Sequence, residues 1–127
     1  MSTGGKVFYN KLVQDGIKDK IEGKGEQCSV RVLENDEEFQ QELLKKVMEE
    51  SQALSTARTR QEFLSEYADL MVVLDALTNL LEISEAELQV AMSENIEKKG
   101  LFKNRHFLNW SDDTDYRSNE TPQGIKN

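Results

Sequence analysis

The chain has 127 residues, a length that suits one compact domain. Its formal net charge of -8 and the lack of a basic stripe exclude a nucleic-acid polymer as the expected partner, but not a single nucleotide whose charge a metal neutralises. Cys28 is alone, which excludes an internal disulfide, and no apolar run forms a signal core or approaches membrane-spanning length. We therefore expect a cytoplasmic protein that does not associate with membranes.

The N-terminal third offers weak structural signals. Residues 1–6 are small and polar and are predicted to be disordered. From Tyr9 to Ile21 apolar residues recur at roughly helical spacing, with Gly16 interrupting the pattern. Residues 28–33 alternate in the manner of a short extended strand or arm. Because an isolated strand has no partner in this sequence, it must pair with a symmetry mate or stay merely extended.

Three longer helices are predicted further along, since good helix formers dominate there and each helix opens with a capping box. The first helix should run to about Ser55 and the second to about Leu81. The capping boxes are Asn35 with Glu38, Thr59 with Glu62, and Ser84 with Glu87.

The stretch from Leu70 to Leu81 is apolar nearly all round, more than so small a domain can cover by itself. We therefore predict an all-α fold: an antiparallel helix bundle completed by homo-oligomerisation, with a short N-terminal extended arm. The predicted domain covers residues 7–108, and the polar residues 109–127 are predicted to form a flexible tail.

Carboxylates on the first two long helices carry the main functional signal. Glu50 lies eight residues before Arg58, in the turn between the helices, and Glu66 lies eight residues after it. In an antiparallel pair the two glutamates stand at the same height, and Asp69 follows one turn after Glu66 on nearly the same face.

Acids directed toward a packed interface need compensation, and Mg²⁺ prefers oxygen ligands of this kind. The spacing therefore predicts a Mg²⁺ site, with Mn²⁺ as an alternative ion, whose ligands are Glu50, Glu66 and Asp69. The competing interpretation is that these acids form an ordinary solvated helix face.

At these residues the chain resembles the all-α nucleoside triphosphate pyrophosphohydrolases, the superfamily of MazG, the dimeric dUTPases and phosphoribosyl-ATP pyrophosphohydrolase. Their signature is Glu-Glu-x-x-Glu on one helix and Glu-x-x-Asp on the next. Here it reads Glu49-Glu50-Ser-Gln-Ala53 and Glu66-Tyr-Ala-Asp69.

The resemblance is strongest to the phosphoribosyl-ATP pyrophosphohydrolase-like branch, which opens with Tyr-Asn-Lys-Leu-Val-Arg-Asp-Lys-Ile. This chain has Tyr-Asn-Lys-Leu-Val-Gln-Asp-Gly-Ile over residues 9–17. The basic residues and Gly-Gly-Phe-like turn that end the branch's last helix are matched loosely by residues 98–102. The resemblance covers about residues 7–108.

The resemblance implies magnesium-dependent cleavage of the α–β phosphate bond of a nucleoside triphosphate or a phosphoribosyl-ATP-like nucleotide, yielding a monophosphate and pyrophosphate. It implies a homodimer or homotetramer with helices bundled across the interface. It also implies that Glu49 is catalytic, either ligating or orienting the attacking water. The implied substrate contacts are Lys11, Asp15, Asn95, Lys98 and Lys99.

Three departures from the family pattern fall on the expected site. Ala53 replaces the third glutamate of the first motif, and an alanine cannot ligate a metal. Gln14 and Gly16 replace an arginine and a lysine, which removes two groups able to bind an anion. The alternative hypothesis is therefore a catalytically impaired relative that acts as a nucleotide-binding or protein-interaction module.

Overall fold

The computed structural model describes residues 5–120 and 123–126. Over these residues the protein is all-α and contains no strand, which confirms the all-α part of the predicted fold. No helix in the described part of the chain is long and apolar enough to cross a membrane. The helices are α1 (Ile17–Glu22), α2 (Asp36–Ser55), α3 (Arg60–Leu80) and α4 (Glu85–Lys99).

Side-chain caps define where the three longer helices begin. The Asn35 side chain accepts a hydrogen bond from the backbone N–H of Glu38 at 2.9 Å, and the Thr59 hydroxyl accepts one from the backbone of Glu62 at 3.0 Å. At the start of α4 the Ser84 hydroxyl accepts from the backbone of Glu87 at 3.1 Å, while the Glu87 carboxylate accepts from the backbone of Ser84 at 2.7 Å. Each bond satisfies a helix N–H that lacks an intrahelical partner. The predicted helix starts are confirmed.

Helices α2 and α3 form an antiparallel hairpin joined by residues 56–59. Its buried core consists of Leu43 on α2 and of Val73 and Leu77 on α3. The partly buried side chains packed against this core are Leu12, Phe39, Val47, Ala76 and Leu80.

The N-terminal segment is less helical than its apolar spacing predicts. Helix α1 begins only at Ile17, so the roughly helical apolar spacing from Tyr9 to Ile21 corresponds to a helix only after Gly16. Within residues 9–16, Leu12 packs against the α2–α3 core, and the φ of +47° at Asn10 is incompatible with a right-handed helix at that residue. Residues 28–33 form neither helix nor strand.

The chain divides into two compact units, Met1–Leu88 and Gln89–Asn127. Their boundary falls inside α4 and inside the predicted domain of residues 7–108, which stays a prediction. In the second unit, the part of α4 from Gln89 onward is exposed throughout. The helix ends at Lys99 and is followed by Gly100, whose φ of +76° is the left-handed conformation that commonly terminates helices.

The predicted disordered and flexible ends are only partly described. Residues 1–4 of the predicted disordered segment lie outside the described residues, as do residues 121, 122 and 127 of the predicted tail. Within the described part of that tail, residues 109–120 and 123–126 form no helix or strand. Their flexibility stays a prediction.

Large apolar side chains are widely exposed on the hairpin. Among the described residues only the three core side chains are buried, whereas Met48 on α2 is 75% exposed and Leu64 on α3 is 56% exposed. Large contiguous patches of exposed apolar surface are unusual on monomeric proteins, so the number of such side chains on this one hairpin is consistent with a covered surface. The other large exposed apolar side chains of α2 and α3 are Leu44, Phe63, Tyr67, Met71 and Val72.

Candidate metal centre

Three carboxylates from two helices meet near the turn of the hairpin. Glu50 extends from α2, and Glu66 and Asp69 extend from α3. One carboxylate oxygen of each lies within 4.8 Å of those of the other two, and all three residues are at least partly buried. Such a group could hold a metal ion. The structure thus brings together the three residues that the spacing about the turn predicts as ligands.

The cluster lies on the same side of each helix as the core. Val73 follows Asp69 by one helical turn, and Glu50 follows Leu43 by two turns, so the acids continue the packed interface toward residues 56–59. This position limits the access of water to the carboxylates. It also makes their mutual repulsion stronger than it would be on an open helix face.

Lys46 lies against the α2 side of the cluster. Its Nζ is 3.2 Å from Oε1 of Glu50 and 3.4 Å from Oε2 of Glu49. The Lys46 and Glu50 side chains are only 14% and 13% exposed. These residues stand three and four positions apart on one helix, the spacing at which side chains are neighbours.

Lys11 reaches the same helix from the N-terminal segment. Its Nζ donates a hydrogen bond to Oε1 of Glu49 at 2.8 Å and lies 5.8 Å from the centre of the Tyr9 ring. This hydrogen bond lowers the pKa of Glu49 below its ordinary value and raises the pKa of Lys11 above its own. Partial burial opposes both shifts but does not cancel them. Both shifts favour the charged forms of this pair.

The charges around the cluster do not balance, and negative charge is in excess. Glu49 and Glu50 are paired with lysines, whereas Glu66 and Asp69 make no ion pair among the described residues. Four carboxylates thus face two ammonium groups. The remaining two negative charges equal the charge that one divalent cation would neutralise.

The other predicted site residues fall in different places. Glu49, predicted as catalytic, lies beside the three clustered acids, and its carboxylate is held by Lys11 and Lys46. Asp15 is exposed in the turn before α1. Asn95, Lys98 and Lys99 lie on the exposed part of α4 that belongs to the second unit. Their roles as substrate contacts stay predictions.

Sequence reasoning missed Lys46 as a residue of this site. The signal was present, because a lysine three and four positions before two glutamates is a standard helix ion-pair spacing. Such pairs are usually surface features with little energetic effect, so the spacing by itself does not mark a site. The low exposure of Lys46, which the spacing alone does not reveal, makes this pair different.

The three departures from the family pattern are also placed by the structure. Ala53 lies on α2 one turn after Glu50 and is half-buried. Gln14 precedes α1, and its backbone carbonyl accepts a hydrogen bond from Ile17 at 3.1 Å. Gly16 caps α1 with no heavy atom within 4 Å of the place a Cβ would occupy. A side chain at position 16 would therefore meet open space.

Comparisons with protein-family models, with curated proteins and with solved structures found no match for this chain.

Proposed function

We propose that the protein is a magnesium-dependent nucleotide pyrophosphohydrolase of the cytoplasm. It cleaves the α–β phosphate bond of a nucleoside triphosphate or a phosphoribosyl-ATP-like nucleotide to a monophosphate and pyrophosphate. The observation that carries this proposal is the meeting of Glu50, Glu66 and Asp69 within 4.8 Å of one another. The resemblance of the motifs around these acids to the all-α pyrophosphohydrolases supplies the reaction.

The donor set suits Mg²⁺ in its chemistry and its charge. All three groups offer carboxylate oxygen, the ligand that hard divalent cations prefer. Opposite ligands of Mg²⁺ stand about 4.2 Å apart and neighbouring ligands about 3 Å apart, so the three oxygens, which lie within 4.8 Å of one another, would have to draw closer together to bind the ion. Mn²⁺ accepts the same donors and is the alternative ion.

Residues of both helices would contribute to the reaction. Glu50, Glu66 and Asp69 would hold the ion, which when bound polarises phosphoryl oxygens and offsets the charge that develops on them. The Glu49 carboxylate, whose pKa is lowered by the hydrogen bond from Lys11, could accept a hydrogen bond from water and orient that water for attack on phosphorus. Lys11, beside Glu49, offers positive charge to a phosphate.

Pyrophosphate release from a panel of nucleotides tests the activity directly. The panel contains standard and modified nucleoside triphosphates and phosphoribosyl-ATP, with Mg²⁺ or Mn²⁺ present. The wild type should turn over at least one of them, and Glu66→Gln should abolish that turnover while the helical circular-dichroism signal is kept. Glu37→Gln, which removes the same charge from the exposed first turn of α2, serves as the matched control and should keep full activity.

Two results would overturn the proposal. One is no turnover across the panel together with no rise in melting temperature when Mg²⁺ is added. The other is unchanged activity in Glu66→Gln, which would mean that the reaction uses a different site.

Ala53 favours a second candidate, a relative that binds nucleotide without hydrolysing it efficiently. In the resembled family a glutamate stands at this position, one turn after Glu50 on the same helix. For this candidate, the wild type should bind nucleotide in a Mg²⁺-dependent manner without releasing pyrophosphate, and Ala53→Glu should restore release. Turnover by the wild type would exclude this second candidate.

The proposed functional form is a homodimer or homotetramer in which a second copy of the chain covers the exposed apolar face of α2 and α3. The N-terminal extended arm belongs to this proposal. The support is that only three side chains of the described residues are buried, a small core for a chain of this length. Light scattering at micromolar concentration should report a dimer or larger; a monomer would contradict this assembly.

A further inference from the structure

Among the ion pairs of the described residues, the one made by Lys46 has the least exposed cation. The Lys46 side chain is 14% exposed, whereas Lys11, the next least exposed, is at 41%. Its partner Glu50 is 13% exposed and is also a member of the three-carboxylate cluster. Lys46 therefore shares one carboxylate with the candidate metal centre.

We propose that Lys46 is a resident counter-ion of this centre, which competes with a divalent cation for Glu50. In the metal-free protein its ammonium neutralises part of the cluster. When the cation binds, Lys46 is released from Glu50. This inference rests on the proposed metal site and adds to it a residue that sets how tightly the site holds its ion.

Covalent attachment makes Lys46 an effective competitor. The ammonium is carried on the same helix as Glu50, four positions earlier, so it cannot diffuse away as a solvent ion does. The pair is mostly shielded from water. Charges in such surroundings interact more strongly than charges on an exposed surface. A cation entering the site must overcome this contact and is also repelled by the ammonium that it displaces.

The contact between Lys46 and Glu50 also reduces the repulsion among the three carboxylates when no metal is bound. Three carboxylates with oxygens within 4.8 Å repel one another, and the repulsion is costly where water is partly excluded. Lys46 offsets part of this repulsion through Glu50 and Glu49. By this contact Lys46 would stabilise the metal-free hairpin, at the expense of a lower metal affinity.

Paired lysine substitutions test the inference. Lys46→Met removes the counter-ion while keeping a side chain of similar length. Lys45→Met removes the same charge from the neighbouring position, where the side chain is 73% exposed and pairs with Glu42 at 2.7 Å instead. Calorimetric titration with MnCl₂ or MgCl₂, without nucleotide, measures the metal affinity of both variants and of the wild type.

We expect Lys46→Met to bind the metal about fivefold to tenfold more tightly than Lys45→Met, because a positive charge next to the ion is removed. In EDTA, Lys46→Met should also melt at a lower temperature than Lys45→Met. Equal or weaker binding by Lys46→Met than by Lys45→Met, with metal binding by the wild type intact, would overturn the inference and leave the proposed metal site standing. Absence of metal binding by all three proteins would overturn the metal site itself.

A measurement on the wild type covers the case in which Lys46→Met does not fold without metal. In nitrogen-15 spectra selective for lysine ammonium groups, titration with MgCl₂ should shift the signal that disappears in Lys46→Arg. The Lys45 signal should stay in place. A Lys46 signal that does not move at saturating Mg²⁺ would contradict its release from Glu50.

Discussion

The two helices that form the candidate metal centre place their carboxylates in different electrostatic environments. On α2, Glu49 and Glu50 are both paired with lysines. On α3, Glu66 and Asp69 make no ion pair among the described residues. The protein thus supplies positive charge to one side of the site only. The α3 acids are the ones whose charge depends on a cation from solution.

The largest difference between the two helices should appear in metal affinity. Asp69→Asn removes a ligand whose charge no lysine offsets, so we expect metal affinity to fall by about 100-fold or more, as for loss of groups that hold or orient a metal. Glu49→Gln, outside the three-carboxylate cluster, should change affinity by less than about fivefold. Calorimetric titration with MnCl₂ measures both. A loss for Glu49→Gln as large as for Asp69→Asn would mean that Glu49 is itself a ligand.

A smaller effect of opposite sign should appear in metal-free stability. Glu66→Gln removes repulsion from Asp69 and Glu50, so in EDTA the variant should be more stable than the wild type by about 0.5 kcal/mol. Glu49→Gln removes the partner of Lys11 and should be less stable by a similar amount.

Thermal melting in EDTA measures this difference, and the same experiment with saturating Mg²⁺ provides the control. Added Mg²⁺ should reverse the order of the wild type and Glu66→Gln, because only the wild type gains stability from binding. If Glu66→Gln were less stable than the wild type in EDTA, the α3 acids would be compensated by contacts other than a cation.

The smallest effect concerns pH. The pKa of Glu49 is lowered from its ordinary value of 4.5, so its contribution to stability is fully present above pH 4.5 and is lost as the pH falls through the lowered value. Because both partners are more than 40% exposed, screening by water limits this contribution to about 0.5 kcal/mol or less.

Melting temperatures of the wild type and Glu49→Gln, followed from pH 7 to pH 3, test this pH dependence. The gap between the two proteins should be constant near neutrality and close at the acid end of the range. A gap that persists unchanged at pH 3 would show that the stabilisation does not come from the ionised carboxylate.

The features of this fold that could be predicted from the sequence depend on residues close to one another in the chain. The starts of α2, α3 and α4 depend on capping residues three positions apart, a pattern that is visible in the sequence itself. The meeting of Glu50 with Glu66 follows from their equal distance from the turn and from the antiparallel packing of adjacent helices. These features need no knowledge of distant contacts.

The features that escaped prediction depend on tertiary contacts. Residues 9–16 carry apolar side chains at near-helical spacing, but Leu12 packs against the hairpin and the segment does not form a helix. The pairing of Lys11 with Glu49 joins residues 38 positions apart, and no local pattern announces it. The low exposure of the Lys46 side chain, which distinguishes it from ordinary surface lysines, likewise depends on tertiary packing.

The equal spacing of Glu50 and Glu66 from Arg58 also restricts which changes of length this chain can tolerate. One residue inserted within α2 between Glu50 and the turn would move that carboxylate about 1.5 Å along the axis and rotate it by about 100°. It would then leave the face that it shares with Glu66 and Asp69. Insertions in surface connections are usually harmless, but any that reached the helical residues flanking this turn would dismantle the site without removing a single one of its side chains.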